Sequence, residues 1–133
     1  MKHAFLSPVA ALLALCAAWP AAAEFPKNIA RDVIIENRCE DSWRFVFVHS
    51  PRPGEWLKSG FYLLDPGERI KPTRDGGAVQ HRDNASLYYY GERADGQMRT
   101  TGDHGINFAD AFYNGREAIR IMRGKSLEVW HDC

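Results

Sequence analysis

From residue 24 onward the hydrophobic positions come in short runs, several of them alternating with polar residues and each bounded by Gly, Pro or Asn, which is the pattern of strands and turns. Val33-Ile34-Ile35 is a β-branched run that ends at Asn37-Arg38-Cys39. Residues 43–48 (WRFVFV) set Trp43, Phe45 and Phe47 on one face and Arg44, Val46 and Val48 on the other. Both faces are largely apolar, so this strand is expected inside a sheet packed on one side and partly covered on the other, with the stem of Arg44 along apolar surface. Residues 61–64 run into Asp65-Pro66-Gly67-Glu68, a turn in which Pro sets φ at the first corner and Gly tolerates positive φ at the second. Residues 68–73 read as the returning strand, with Pro72 placing its end at an edge. Residues 73–84 carry Gly76, Gly77 and several charges and read as a solvated loop.

The second half continues the pattern. Residues 87–90 (LYYY) form its clearest strand, and Arg93-Ala94-Asp95-Gly96 is a hairpin turn into residues 97–101. Asn114-Gly115 signals another hairpin, joining residues 108–113 to 117–122, and Arg123-Gly124-Lys125 turns into residues 127–130. Only residues 108–113 and 116–122 admit short helices. Seven or eight short strands with such turns predict an all-β fold, a small antiparallel β-sandwich or barrel.

The first 23 residues belong to a different class. Met1-Lys2-His3 gives a positive start, residues 9–19 (VAALLALCAAW) form an apolar run of signal-peptide length, and Ala21-Ala22-Ala23 offers a small-residue cleavage site. The expectation is a cleaved signal over residues 1–23, a single β domain over residues 24–133, and a periplasmic or secreted location. An uncleaved membrane anchor is the competing reading, weakened by Ser7, Pro8 and Pro20 within the run. Cys16 leaves with the signal. Cys39 and Cys133 remain, and an exported chain with one such pair is expected to join them, clasping the first and last strands at the same end of the fold.

Charge and motifs remove function classes. The chain has 17 basic and 17 acidic residues, so it lacks the broad positive field that nucleic-acid binders use. His49, His81, His104 and His131 are widely separated, and there is no HExxH, CxxC or GxSxG, so the sequence announces no metal site and no nucleophile. No phosphate-cradling glycine loop or cofactor motif is present, and acidic pairs such as Glu40 and Asp41 or Asp103 and Asp110 are not singled out among so many acids. His49 extends the Trp43-Phe45-Phe47 face and reads as the polar end of a core stripe. The aromatic residues are more suggestive: alternation sends neighbours such as Tyr89 and Tyr90 to opposite faces, so some rings face outward. Trp56, Tyr62, Tyr88 and Tyr90 are the candidate binding surface, of the kind used for glycans or protein partners.

Ile35-Glu36-Asn37-Arg38-Cys39, the segment WLKSGF at residues 56–61, Leu64-Asp65-Pro66-Gly67-Glu68 and Leu87-Tyr88-Tyr89-Tyr90-Gly91-Glu92 together resemble a family of small exported bacterial proteins known only as a domain of unknown function (DUF1036-like), over residues 33–93. That resemblance implies an exported domain and brings no catalytic residue. The resulting expectation is a non-enzymatic periplasmic binding domain without a cofactor, meeting a protein or envelope glycan, with no nucleic-acid partner and no stable membrane insertion. Its sharper form is an inhibitor or immunity-type partner of a secreted toxin. The competing expectation is a small periplasmic hydrolase in which histidines and aspartates converge.

Overall fold

In the computed structural model, which describes residues 27–133, every regular element is a strand. The expected export segment and its cleavage after Ala23 lie outside the described residues. In chain order the strands are β1 (Ala30–Asn37), β2 (Trp43–Arg52), β3 (Glu55–Leu64), β4 (Arg69–Ile70), β5 (Thr73–Arg74), β6 (Gly77–Ala78), β7 (Gln80–Arg82), β8 (Tyr88–Arg93), β9 (His104–Phe108), β10 (Ala111–Glu117), β11 (Arg120–Arg123) and β12 (Ser126–His131). The residues open to short helices instead lie in β9, β10 and β11 and in the connections between them. One sheet runs β11-β12-β1-β4 with β7 also on β1, and the other runs β3-β2-β8-β10-β9. The fold is all-β, and all its pairings are antiparallel except one: β1 and β12 run parallel, with Val33 opposite Leu127, Ile35 opposite Val129 and Asn37 opposite His131.

That register explains the disulfide. Side chains alternate along a strand, so Asn37 and His131 share the inner face with the residues two places on, which are Cys39 and Cys133. Their Cα atoms are 5.3 Å apart and the bridge is formed. It closes a separation of 94 residues, for which the chain-entropy argument gives about 4–5 kcal/mol of stabilisation. Asn37, fully buried, secures the same end: its Nδ2 donates to the carbonyls of Asp41, Leu64 and Asp65, and its Oδ1 accepts from the Cys39 amide at 3.0 Å.

The core has two parts because β2 is apolar on both faces, as its sequence predicts. Phe45 and Phe47 pack between the sheets with Val33, Ile35, Leu64, Tyr89 and Val129. Val46 and Val48 point the other way and, with Tyr90 and Ile106, form a second cluster inside the curl of the second sheet. The curl brings the edge strands together: Lys58 Nζ on β3 donates to the Asn107 carbonyl on β9 at 2.8 Å, and Phe61 meets Phe108 edge-on. Gly91 permits the first cluster, since a Cβ there would lie 2.7 Å from the Phe45 ring.

Three turn and loop expectations are corrected. Asn114-Gly115 is no turn but lies within β10, where Gly115 is needed for close approach; a Cβ would come 2.9 Å from the Tyr89 carbonyl oxygen of β8. The hairpin instead turns at Ala109 and Asp110, both left-handed with φ of 50° and 61°, the pair of positive φ values that a two-residue turn between twisted strands requires. The strand after Asp65-Pro66-Gly67-Glu68 does not return along β3; β4 crosses to pair with β1. Residues 73–84 are a β5–β6 hairpin followed by β7, and they bury Val79, His81 and Asp83.

Asp83 shows why so polar a segment folds inward. Its carboxylate accepts from the Lys27 and Asn28 amides and from Arg31 Nε at 2.8 Å, with the Asp83 side chain fully buried and that of Arg31 8% exposed. Burial alone raises the Asp83 pKa; the hydrogen bonds from Arg31 and the amides outweigh it and hold the carboxyl below its ordinary range. Removing one partner of such a pair strands a buried charge. Asp83→Ala is expected to cost about 3–5 kcal/mol of stability in urea unfolding monitored by tryptophan fluorescence, and a loss below about 1 kcal/mol would contradict this account of the segment.

Candidate functional site

The four histidines among the described residues do not converge on one centre. His49, on β2, is 2% exposed; its Nδ1 lies 2.9 Å from the Gln80 carbonyl and its Nε2 2.7 Å from Ser59 Oγ. A carbonyl only accepts, so Nδ1 carries the proton and Nε2 takes the Ser59 hydroxyl proton. This is the arrangement of an activated serine, a base aimed at a hydroxyl and held by a third group. Ser59 is 3% exposed, so a substrate would have to part β3 from β2 to reach it. The sequence did not mark Ser59; a register irregularity between Phe45 and Phe47 brings it opposite Phe47 on the His49 face.

His81 lies next to His49 but is otherwise occupied. Its Nδ1 accepts from the Ser50 amide at 2.8 Å and its Nε2 donates to the Ala85 carbonyl at 2.8 Å. His131, on β12, accepts at Nδ1 from the Tyr89 hydroxyl at 2.7 Å and from Arg116 at 3.3 Å. Those two donors leave the His131 proton on Nε2, which is buried and has no hydrogen-bond partner among the described residues. Burial pushes the pKa of all three rings down, to about 4 for His81 and for His131; positive neighbours reinforce it, Arg120 beside His81 and Arg116 beside His131. These are neutral structural histidines. The cavity between the sheets beside His131, lined by Phe45, Phe47, Tyr89 and Val129, has a volume of about 10 Å³, room for one water.

His104 differs from the other three. It is half-buried and lies flat on Tyr88, with centroids 3.7 Å apart and planes 5° apart. Tyr88 in turn meets Trp56 at 6.4 Å, and Trp56 is 47% exposed. The three rings make a strip from β3 across β8 to β9 at the edge of the second core cluster, on the same face of the curled sheet as Val48, Tyr90 and Ile106. Of the surface anticipated from sequence, Trp56 and Tyr88 lie in it and His104 joins them. Tyr90 does not: it is 2% exposed, packs tilted against Tyr113 and donates to Glu92 within the second core cluster, because the sheet curls over the face that a flat sheet would leave open. Tyr62 faces the other way, packed beside Phe47 with its hydroxyl on the Thr73 carbonyl.

The outer face of the first sheet presents a second depression, lined by Arg38, Arg69, Arg123, Glu36, Glu128 and Trp130 among others. Its guanidiniums are already committed: Arg69 and Arg123 to Glu128, and Arg38 to Glu36 and to the Trp130 ring at 4.4 Å. It therefore offers an incoming anion little free charge. Among the described residues, Cys39, His131 and Cys133 are the one group of potential metal ligands brought close together. No family model matches the chain, and neither a curated protein nor a solved structure matches it.

The depressed pKa of His81 fixes the sign of a pH effect. The unfolded chain takes up the proton near the ordinary value of 6.5 while the folded ring resists until about 4, so its contribution is present above pH 6.5 and lost as the pH falls towards 4. Thermal midpoints are expected to drop across that window, and His81→Asn, itself less stable, is expected to show a shallower slope there. An unchanged slope in the variant would assign the pH dependence to other groups.

Proposed function

We propose that the chain is an exported binding domain that meets a periplasmic protein or an envelope glycan through the strip formed by Trp56, Tyr88 and His104. The observation that carries this reading is Trp56: a large indole left 47% exposed while its buried side rests on Tyr88 and His81. A ring held by its neighbours loses little rotamer freedom on binding, and it presents both apolar area and an N–H donor. Leu63, 61% exposed, and Phe61, 37% exposed, continue the apolar surface along β3. Export rests on the apolar run before Ala23 and on a cysteine pair suited to an oxidising compartment, and the resemblance to an exported family points the same way.

A hydrolase is the second reading, favoured by one observation, the Ser59–His49–Gln80 alignment. A serine-directed fluorophosphonate probe separates the two: the binding reading expects no labelling of Ser59 in the folded chain, and stoichiometric labelling lost in His49→Ala would establish the hydrolase. For the binding reading, immobilised residues 24–133 are offered periplasmic extract and, separately, soluble cell-wall glycan fragments. Trp56→Ala is expected to weaken capture by roughly tenfold or more with its circular dichroism unchanged, as for a central aromatic anchor. Equal capture by wild type and variant would place recognition elsewhere on the molecule.

A further inference from the structure

Among the described residues three buried side-chain polar atoms lack a hydrogen-bond partner, Trp43 Nε1, Arg44 Nε and His131 Nε2, and of these His131 Nε2 alone can ligate a metal. His131 is 5% exposed, its Nδ1 is spent on Tyr89 and Arg116, and Nε2 has no partner. A buried donor left unpaired costs on the order of 1–3 kcal/mol, so its retention calls for a reason. Beside it stands the bridge: an imidazole nitrogen of His131 and the sulfurs of Cys39 and Cys133 all lie within 4.8 Å of one another.

We propose that Cys39, Cys133 and His131 form a Zn²⁺ site when the disulfide is reduced, so that the clasp between the first and last strands is either a covalent bond or a metal. Two thiolates and one imidazole are a donor set that zinc prefers, and a fourth position is left for water or a carboxylate. Strand alternation places His131 and Cys133 on one face, and the parallel register sets Cys39 beside them. Access comes from the surface: Cys133 is exposed, and the sulfurs border an open cleft shared with Asp132 and Met98. The partner of the second ring nitrogen is also present. Zinc on Nε2 moves the imidazole proton to Nδ1, so the Tyr89 hydroxyl, 2.7 Å away, turns from donor to acceptor there and Arg116 gives up its 3.3 Å contact with Nδ1 while keeping its bonds to the Tyr89 oxygen; a ligating histidine normally donates its other N–H in this manner.

The reaction balances. A dithiol reductant supplies two electrons and two protons, leaves as its own cyclic disulfide, and converts the bridge to two thiols. Zn²⁺ then forms two Zn–S bonds and one Zn–N bond, and the two thiol protons go to solvent. Neither step depends on the proposed binding function.

The test uses residues 24–133, reduced under anaerobic conditions, with Co²⁺ as the spectroscopic probe and Zn²⁺ as competitor. The expected result is a thiolate-to-cobalt charge-transfer band with visible bands of tetrahedral cobalt at one ion per chain, displaced by Zn²⁺ and missing from the oxidised chain. His131→Ala is expected to bind more than about tenfold more weakly, since even loss of an outer partner costs a metal site that much. Absence of tetrahedral bands in the reduced wild type overturns the proposal, whether or not the reduced chain stays folded, and so do identical bands and affinity in His131→Ala. If that variant fails to fold, the ¹⁵N resonance of His131 Nε2 in the wild type decides: a shift from protonated to metal-bound nitrogen on adding Zn²⁺ supports the site, and an unchanged resonance refutes it.

Discussion

The parallel pairing of β1 with β12 is the constraint on which the other elements depend. β1 forms near the start of the described chain and β12 completes it, so the central ladder of the first sheet exists only after the intervening chain has folded back. Parallel pairing of distant segments is slow and entropically costly. Cys39 and Cys133 join the two strands just beyond their last paired residues, where fraying would begin. Asn37 attaches the same corner to the end of β3 through the Leu64 and Asp65 carbonyls, so that the bridge, the turn at Gly67 and the inter-sheet core meet in one place. Several elements are thereby positioned by a corner of only a few residues.

Most polar groups of the interior are paired, and several of the pairs reach between elements that no ladder connects. His49 joins β2 to β3 and to the residue that begins β7. His81 joins β7 to the Ser50 amide of β2, and His131 joins β12 to β8 and, through Arg116, to β10. Asp83 draws the chain before β1 against β7. In a small sandwich the faces are easily filled, and the ends and corners are where the backbone is left unsatisfied; these side chains supply the missing partners. Histidine suits the role because one ring both donates and accepts while remaining uncharged.

Much of the fold was legible because period-two patterning reports burial directly. β1, the double-sided β2, β8 and the turns at Gly67 and Gly124 all follow from local sequence, as does the cysteine pair. The misreadings share a cause. Residues 73–84 are polar and glycine-bearing, yet they fold inward because Asp83 and His81 find partners far away in the chain, and composition cannot register a partner at that distance. Asn114-Gly115 has turn chemistry, but Gly115 was needed where β9 and β8 crowd β10, while Ala109 and Asp110 accepted positive φ. Tyr90 was placed outside because alternation sends it to the face opposite Tyr89; that face is closed by the curl, which depends on the packing of strands far apart in sequence. The candidate site divides in the same way. Trp56 and Tyr88 were visible as aromatics on strands, whereas His104 and Ser59 had no local signal.

By itself, the sequence determined the class of the protein: an all-β chain with Cys39 and Cys133 placed at the ends of its first and last strands, balanced charge and aromatic residues on both faces of its strands. Hydrophobic period, turn chemistry and charge balance are local or additive properties and survive without coordinates. Only the tertiary structure decided that the terminal strands run parallel, that one sheet curls around a second core, which rings remain exposed, and that His131 stands unpaired beside the disulfide. Each of these depends on which distant residues meet, and the energy of that meeting is not written at either residue alone.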